Sequence, residues 1–370
     1  MMPVEILIIG GGPAGLCAAI QAAEMGSKVL VVDRNNSLGG QLVKQTHMFF
    51  GSEKQYASTR GFDIAELLLD KIDKMDNVEV MKSTTVLGIF EDGVVTLENN
   101  GKYIKIKPKA TIVSTGASEK NLAFPNNDLP GVYGAGAVQT LMNEYGVKPG
   151  NNVLMIGAGN IGLIVSYQLM QAGVKVEAIV EAAPTIGGYL VHASKVRRMG
   201  VPIYTGYSIK EAHGKDSLEK AIIWQLDEKW NGIPGTEKEL DVDVICISVG
   251  LSPLSELLWQ AGCQMKYIHE FGGFVPARDE NLQTSVKGIF VAGDVAGVEE
   301  ASSAMVEGYI AGMSAASYLG YKLYNMQEVK DDLMQQLNSL RHGPVGEKIR
   351  NGITSLMIDN EAAASIDAFK

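Results

Sequence analysis

The sequence predicts an α/β protein built of two Rossmann-like three-layer domains, each with a small antiparallel insertion, followed by a helical C-terminal tail. Three observations predict this. The apolar run Ile6-Leu7-Ile8-Ile9 stops at Gly10-Gly11-Gly12-Pro13-Ala14-Gly15 and opens an Ala-rich helical pattern. The same order of events recurs at Val153-Leu154-Met155-Ile156, then Gly157-Ala158-Gly159-Asn160-Ile161-Gly162, then a second helical run. Further short apolar runs end on small-residue turns at Ser114-Thr115-Gly116, Ser248-Val249-Gly250 and Ala292-Gly293-Asp294. Fully apolar strands that pass directly into helices are the mark of parallel sheets covered on both faces.

Each glycine turn is suited to a pyrophosphate. In the first, Gly10 allows the tight turn, Gly12 lets the backbone approach a phosphate, and Gly15 lets the helix pack closely on the strand. The free N–H groups of the helix N-terminus then point at the anion. Eighteen residues beyond Gly15, after the strand Lys28 to Val32, comes Asp33, where an acidic side chain can bind an adenosine ribose. In the second unit Gly157, Gly159 and Gly162 take the same places, and Glu181 follows the strand Val174 to Val180. One such turn is weak evidence, because glycines also serve purely steric ends. Two complete units in one chain imply two bound dinucleotides.

Composition narrows the remaining choices. At 370 residues the chain is long enough for two or three core-bearing domains, and 46% hydrophobic with 20% charged residues is ordinary for a globular protein. A net charge of −10 and a pI near 5.1 argue against nucleic acid or an anionic membrane as partner. No apolar run approaches the ~18 residues of a membrane span. The first strand begins within about five residues of the start, which leaves no room for a signal peptide, so a cytoplasmic location is expected. Cys17, Cys246 and Cys263 are far apart, with no spacing for zinc or an iron–sulfur cluster, and no metal is expected. Cys17 and Cys246 read as buried, inert thiols.

Along the chain, Leu38-Gly39-Gly40-Gln41-Leu42 lets the backbone pass close to a dinucleotide or simply turns. Residues 43–58, with Gln45, Thr46, His47, Phe49 and Phe50, read as a loop over a flat cofactor ring. Phe62 to Met75 has helical spacing and Val78 to Val80 begins a strand. Val86 to Ile106 alternates apolar and polar residues around turns at Glu91-Asp92-Gly93 and Asn99-Asn100-Gly101, a small antiparallel meander. It ends at a separate buried strand from Ala110. Pro125 to Gly131 is a linker. Pro184 to Met199 supplies a loop and a helix, Val201 to Ser208 a strand, and Ala221 to Leu226 with Lys238 to Val242 a second antiparallel patch. Asp243 to Gly250 and Gly288 to Val291 are buried strands, and a helix starts near Ala301. Beyond Leu319, Met326, Val329, Leu333, Leu337 and Leu340 fall on one helical face that Gly343-Pro344 ends, and a weaker stripe follows at Ile349, Ile353 and Leu356. That helix pair either packs on its own body or serves as a partner-docking arm.

The order of these motifs resembles the two-dinucleotide-binding-domain flavoproteins, in the compact thioredoxin-reductase-like form, over roughly residues 4–320. The resemblance implies an FAD-binding domain in two parts, 1–120 and 251–320, an NAD(P)H-binding domain at 121–250, and a C-terminal extension at 321–370. It implies FAD contacts at Gly10, Gly12, Pro13, Ala14, Gly15, Asp33, Arg34, Gly40, Gln41, Leu42, Thr46, Thr115, Gly116, Gly293, Asp294 and Ala301. Asp294 matches the acid at the ribityl chain or pyrophosphate, and Ala301 the helix start that faces the flavin. The family usually has Glu where this chain has Asp33. For NAD the implied residues are Gly157, Gly159, Asn160, Ile161, Gly162, Glu181 and Gly250. A carboxylate at Glu181 accepts from a 2′-hydroxyl and repels a 2′-phosphate, and no Arg pair follows at once, so NADH is preferred over NADPH. Arg197 and Arg198 read as a solvated helix face.

The departures are as informative. Where thioredoxin reductases carry Cys-x-x-Cys, this chain has Ala137-Val138-Gln139-Thr140-Leu141-Met142-Asn143, and no cysteine stands just after Gly40, where the glutathione-reductase class keeps its disulfide, so a thiolate relay is excluded. Leu129 to Asn143 and Glu181 to His192 look instead like flavoprotein subunits of the proline and opine dehydrogenase, hydrogen cyanide synthase and sarcosine oxidase α type. The resemblance therefore implies an FAD-dependent pyridine nucleotide oxidoreductase that passes a hydride between NADH and flavin within an amino-acid or amine dehydrogenase-type complex. Its partners would be NADH and a second dehydrogenase subunit or an electron-transfer protein, in a homodimer or hetero-oligomer. The alternatives are a free-standing NADH oxidase, a ferredoxin or quinone-type reductase, and a non-catalytic nucleotide-binding subunit. Hydride transfer needs positioning rather than an acid or base, so no catalytic residue is assigned. His47, near the ring, is a better candidate than His192.

Overall fold

In a computed structural model, which describes residues 2–49 and 51–357, the chain forms two compact units. One comprises residues 1–43, 48–118 and 252–370, the other residues 44–47 and 119–251. Phe50 and the last part of the expected C-terminal extension, residues 358–370, lie outside the described residues.

The first unit begins with β1 (Met2–Ile9), α1 (Pro13–Glu24), β2 (Val29–Val32), α2 (Gly61–Ile72), β3 (Val78–Met81), β4 (Thr84–Ile89), β5 (Val95–Asn99) and β6 (Lys102–Val113). They form a sheet in the order β3-β2-β1-β6-β5-β4. The central pairs are parallel, with Ile6 opposite Val29 and Ala110, and Ile9 opposite Val32 and Val113. Side chains alternate between faces. Ile6, Ile8, Val31 and Ile112 enter a core with α1, while Leu7, Ile9, Leu30 and Val32 enter another with Ile89, Val95, Leu97 and Ile106 of the β4–β6 meander. Burial on both faces is why these strands read as unbroken apolar runs. The meander and the strand expected from Ala110 are in fact one strand. β6 pairs antiparallel with β5 through Ile106 and parallel with β1 from Ile106 onward, so no turn is needed between them.

After β7 (Ala117–Glu119), the second unit contains β8 (Val132–Gly134), α3 (Ala135–Asn143), β9 (Asn152–Ile156), α4 (Asn160–Gln171), β10 (Lys175–Glu181), α5 (Leu190–Arg198), β11 (Ile203–Thr205), β12 (Tyr207–His213), β13 (Lys220–Gln225), β14 (Lys238–Asp241) and β15 (Val244–Ile247). Its parallel sheet runs β11-β10-β9-β15-β8, and β12-β13-β14 form a separate antiparallel sheet. The strand expected from Val201 to Ser208 is divided by Gly206, whose φ of +68° breaks the extended chain; β11 stays in the parallel sheet and β12 joins the antiparallel one.

Following β16 (Leu251–Pro253), the first unit resumes with α6 (Glu256–Gln260), β17 (Met265–Ile268), β18 (Gly273–Pro276), β19 (Ile289–Val291), α7 (Ala301–Tyr318), α8 (Met326–Leu340) and α9 (Gly343–Leu356). α6, β17 and β18 were not foreseen. At five, four and four residues they are too short for periodicity to register. β19 pairs parallel with β6. α7 packs against α1 so closely that a Cβ on Gly308 would lie 2.2 Å from the Ala14 carbonyl oxygen, and one on Gly312 2.3 Å from that of Ala18.

The described part of the tail packs on its own unit. Leu333 and Leu337 of α8 enter the α1–α7 core with Met326, Val329 and Leu340 beside them. In α9, Leu356 packs on Phe271 and Val275, flanked by Ile349 and Ile353. Gly343-Pro344 does more than stop α8, since the proline stands in the first turn of α9.

Candidate dinucleotide-binding sites

In the first unit the glycine turn is held by its neighbours. A Cβ on Gly10 would lie 2.4 Å from the Ser114 carbonyl oxygen, and one on Gly15 1.8 Å from that of Gly10. Ser114 Oγ donates to the carbonyls of Ile9 and Gly10 at 3.0 and 2.9 Å. The Gly11 amide donates to Asp33 Oδ2 at 2.7 Å, and the Asn35 amide to Oδ1 at 2.8 Å. Asp33 is thus fixed at the tip of β2, with lone pairs still available for a hydroxyl. Gly39 donates to the Gly11 carbonyl at 2.8 Å, and a Cβ on Gly40 would lie 2.7 Å from Gly12 Cα. By contrast, a Cβ on Gly12 would meet nothing nearer than 3.8 Å. Gly12 is also the N-cap of α1 and has no side-chain cap, so its face of the turn stays accessible to an anion.

Gly293 packs against the first turn of α1. A Cβ on Gly293 would lie 2.9 Å from Ala14 Cβ. The Gly293 amide donates to Glu307 Oε2 at 3.0 Å, and Glu307 Oε1 accepts from Arg278 Nη2 at 3.1 Å and Arg341 Nη2 at 2.7 Å. Arg341 also grips Glu299, through Nε at 2.9 Å and Nη2 at 2.6 Å. Burial pushes the Asp294 carboxyl up to about 7; the Glu299 N–H opposes this, and the charges of Glu307 and Glu299 add to it. Arg278 is 3% exposed, and its Nη1 has no hydrogen-bond partner among the described residues. Arg278, Arg341 and the Gly293 amide thus converge on Glu307, which ties the Gly293-Asp294 turn to α7.

The second unit repeats the pattern. A Cβ on Gly157 would lie 2.1 Å from the Ser248 carbonyl oxygen, and one on Gly162 2.2 Å from that of Gly157. The Ala158 amide donates to Glu181 Oε2 at 2.9 Å and the Ala183 amide to Oε1 at 3.0 Å. Gly159 faces open space, with nothing within 4 Å of an added Cβ. Gly188 donates to the Ala158 carbonyl at 2.9 Å, as Gly39 does to Gly11, and a Cβ on it would lie 3.0 Å from the Asn160 nitrogen. Asn160 Oδ1 accepts from the Tyr189 amide at 2.8 Å, and Ile161 is 40% exposed. Gly250 has φ +115° at the exposed end of this region. Arg197 and Arg198 lie on the exposed last turn of α5.

Gly10 to Gly15, Asp33, Gly40 and Gly293 are therefore brought together. Ala301 opens α7, and Arg34 and Gln41 are exposed. Thr115 Oγ1 donates to the Leu254 carbonyl at 2.7 Å, and Gly116, at φ +75°, accepts from the Leu254 amide. Leu42 is fully enclosed in the core, so only its backbone can face a ligand. Thr46 lies in the segment that packs with the second unit, where its hydroxyl accepts from Gln168 Nε2 at 2.8 Å. Lys44 belongs to the same segment and donates to Thr140 Oγ1 at 3.1 Å. Burial, with the charges of His192 and Lys195, lowers the pKa of His47. Sequence reasoning passed over Ser114, Gly188, Arg278, Glu307 and Arg341. Gly187-Gly188 stands just beyond Glu181 as Gly39-Gly40 does beyond Asp33, and that offset was a usable signal. The three cysteines are buried and unpaired, and no group of residues suited to a metal occurs among the described residues. No helix among them is long and apolar enough to cross a membrane.

Two glycine turns, each at the carboxyl end of a parallel strand and each tied to an acid on the next, define a pair of doubly wound units of the dinucleotide-binding type. The chain belongs to the pyridine nucleotide-disulphide oxidoreductase family, whose model matches residues 4–308. It is 27% identical over 335 residues to an opine oxidase subunit of Agrobacterium tumefaciens (strain Ach5), covering 85% of this chain and 66% of that one. The chain thus spans just under two thirds of that relative. It is 25% identical over 332 residues to hydrogen cyanide synthase subunit HcnB of Pseudomonas protegens, covering 85% of this chain and 70% of that one. The thioredoxin reductase of T. acidophilum shares the fold, with a TM-score of 0.71 at 23% identity over 86% of this chain and 99% of that one.

Proposed function

We propose that the first unit binds FAD, the second binds NADH in preference to NADPH, and the chain passes a hydride between them as one subunit of an amino-acid or amine dehydrogenase-type complex. The observation that carries this reading is the duplicated bond from the middle of each glycine turn to the acid of the next strand, Gly11 to Asp33 and Ala158 to Glu181. When bound, the flavin supplies a two-electron acceptor and the nicotinamide a hydride donor. The chain's residues bind and orient. The α1 and α4 N-termini hold the pyrophosphates, Asp33 and Glu181 accept from the adenosine ribose hydroxyls, and Asp294 with Ala301 at the start of α7 fixes the ribityl chain and ring edge.

The absence of a thiol relay is supported by burial. It pushes the Cys17 thiol up to about 12 and raises Cys246 and Cys263 as well, so none is poised as a thiolate. The opine oxidase relative and HcnB are both named as subunits, which favours a partner chain as the source or sink of the electrons. The test is anaerobic. The purified chain should show a flavin band near ~450 nm that one equivalent of NADH bleaches in stopped flow. A yellow protein that NADH leaves oxidised would exclude the hydride route, and a colourless one that takes up no FAD would overturn the whole reading.

A further inference from the structure

We propose that the C-terminal helices complete the FAD site, with Arg341 as a positioning residue for the Gly293-Asp294 turn that acts through Glu299 and Glu307. The inference rests on the reading of the first unit as the FAD site.

Two routes lead from one guanidinium to two consecutive residues. Through Nη2, Arg341 binds Glu307 Oε1 at 2.7 Å, and Glu307 Oε2 in turn accepts the Gly293 amide at 3.0 Å. Through Nε and Nη2 it clamps both oxygens of Glu299, whose amide lies 3.4 Å from Asp294 Oδ1. A two-pronged guanidinium fixes a carboxylate in direction as well as distance, which a single lysine cannot do.

Arg341 is itself held on both sides. It ends α8, whose Leu337 is packed in the core, and its carbonyl accepts from Arg350 Nη1 of α9. A Cβ on Gly346 would lie 1.9 Å from that carbonyl oxygen, so α9 passes directly over it. Charge gives the arrangement a purpose. Arg341 binds Glu299 and Glu307, Arg278 binds Glu307, and the charges of both glutamates reach the Asp294 carboxyl. Without Arg341 the two glutamates would keep Arg278 as their one cation among the described residues, and their excess negative charge beside the Gly293-Asp294 turn would oppose an anionic cofactor. The tail is therefore a working part of the cofactor site.

The test uses the full-length protein stripped of flavin and titrated with FAD, read by flavin fluorescence and the visible spectrum. Relative to wild type, Arg341→Met is expected to bind FAD at least about tenfold more weakly, and Arg341→Lys to restore part of the loss. Leu68→Ala, a core truncation in α2 outside this cluster, should lower the melting temperature and keep the wild-type Kd when titrated below it. If Arg341→Met does not fold, Glu299→Gln is the substitute, expected to weaken FAD binding while Arg341 keeps Glu307. Wild-type Kd in Arg341→Met, or in both Glu299→Gln and Arg341→Lys, overturns the inference. A wild type that takes up no FAD overturns the parent reading instead.

Discussion

Glu181 accepts a hydrogen bond from the Ala158 amide at 2.9 Å, so the acid at the end of β10 is tied to the middle of the glycine turn before α4. The bond fixes the carboxylate and leaves it lone pairs for a hydroxyl, which the proposed function assigns to the adenosine ribose. On the proposed reading it also sets a carboxylate against a 2′-phosphate. Glu181→Ala should therefore lower the preference for NADH over NADPH, measured as the ratio of kcat/KM values, by about tenfold or more. An unchanged ratio would remove Glu181 from nucleotide choice.

The glycines separate folding from binding. A Cβ on Gly15 would lie 1.8 Å from the Gly10 carbonyl and 2.8 Å from Ser114 Oγ, so Gly15→Ala forces α1 away from β1. It should cost several kcal/mol, at or beyond the ~1–3 kcal/mol typical of overpacking, and give little soluble flavoprotein. Gly159 has φ −73° and open space around it. Gly159→Ala should leave the melting temperature within a degree or two, as expected of a change worth under ~0.5 kcal/mol. It should nevertheless raise the KM for NADH severalfold if Gly159 is there for phosphate approach. A normal KM in that variant would argue that the second turn does not hold a pyrophosphate.

These contrasts show which parts of the molecule were legible in the sequence. The βαβ units were, because strands buried on both faces are apolar throughout and because Gly10, Gly15, Gly157 and Gly162 are dictated by backbone contacts a few residues away. Asp33 and Glu181 were legible for the same reason, each standing one strand beyond its turn. The Arg278, Glu307, Arg341 and Glu299 cluster was not. Glu307 sits inside the otherwise small and apolar α7, and its partners lie 29 and 34 residues away in sequence, so no local period links them. Leu42 matched a motif yet is core, since a pattern of residue types does not say which way a side chain turns. The break between β11 and β12 rests on one positive φ at Gly206, which a run of β-formers conceals.

The buried thiols give a direct check on the missing relay. Burial raises all three, and Cys17 and Cys246 are fully enclosed. The native protein should react with fewer than one equivalent of a thiol reagent such as DTNB over minutes at pH 8, and with about three once unfolded. Alkylation of the native protein should leave flavin reduction by NADH intact. A fast-reacting thiol whose blocking stops reduction would restore a cysteine to the mechanism.

Asp294 predicts a pH dependence of stability in the cofactor-free protein. Its carboxyl is raised from 3.8 to about 7, chiefly by burial, with the negative charges of Glu307 and Glu299 adding to the effect and the Glu299 amide opposing it. Arg278 and Arg341, the cations of the cluster, are already engaged by those glutamates. Between pH ~4 and ~7 the folded chain keeps a proton that the unfolded chain has released, so the native state binds more protons. Stability from this group is then complete below the ordinary carboxylate range, falls as pH rises through that window by up to ~1.4 kcal/mol per unit, and levels off above it. Asp294→Asn keeps a neutral side chain at every pH. In urea unfolding at pH 5, 6, 7 and 8 the variant should gain on the wild type from pH 5 to 7 and hold its margin at pH 8, while binding FAD more weakly. Parallel profiles for the two proteins would mean that Asp294 is ionised throughout and that another group, rather than burial of this carboxyl, sets the chemistry beside Gly293.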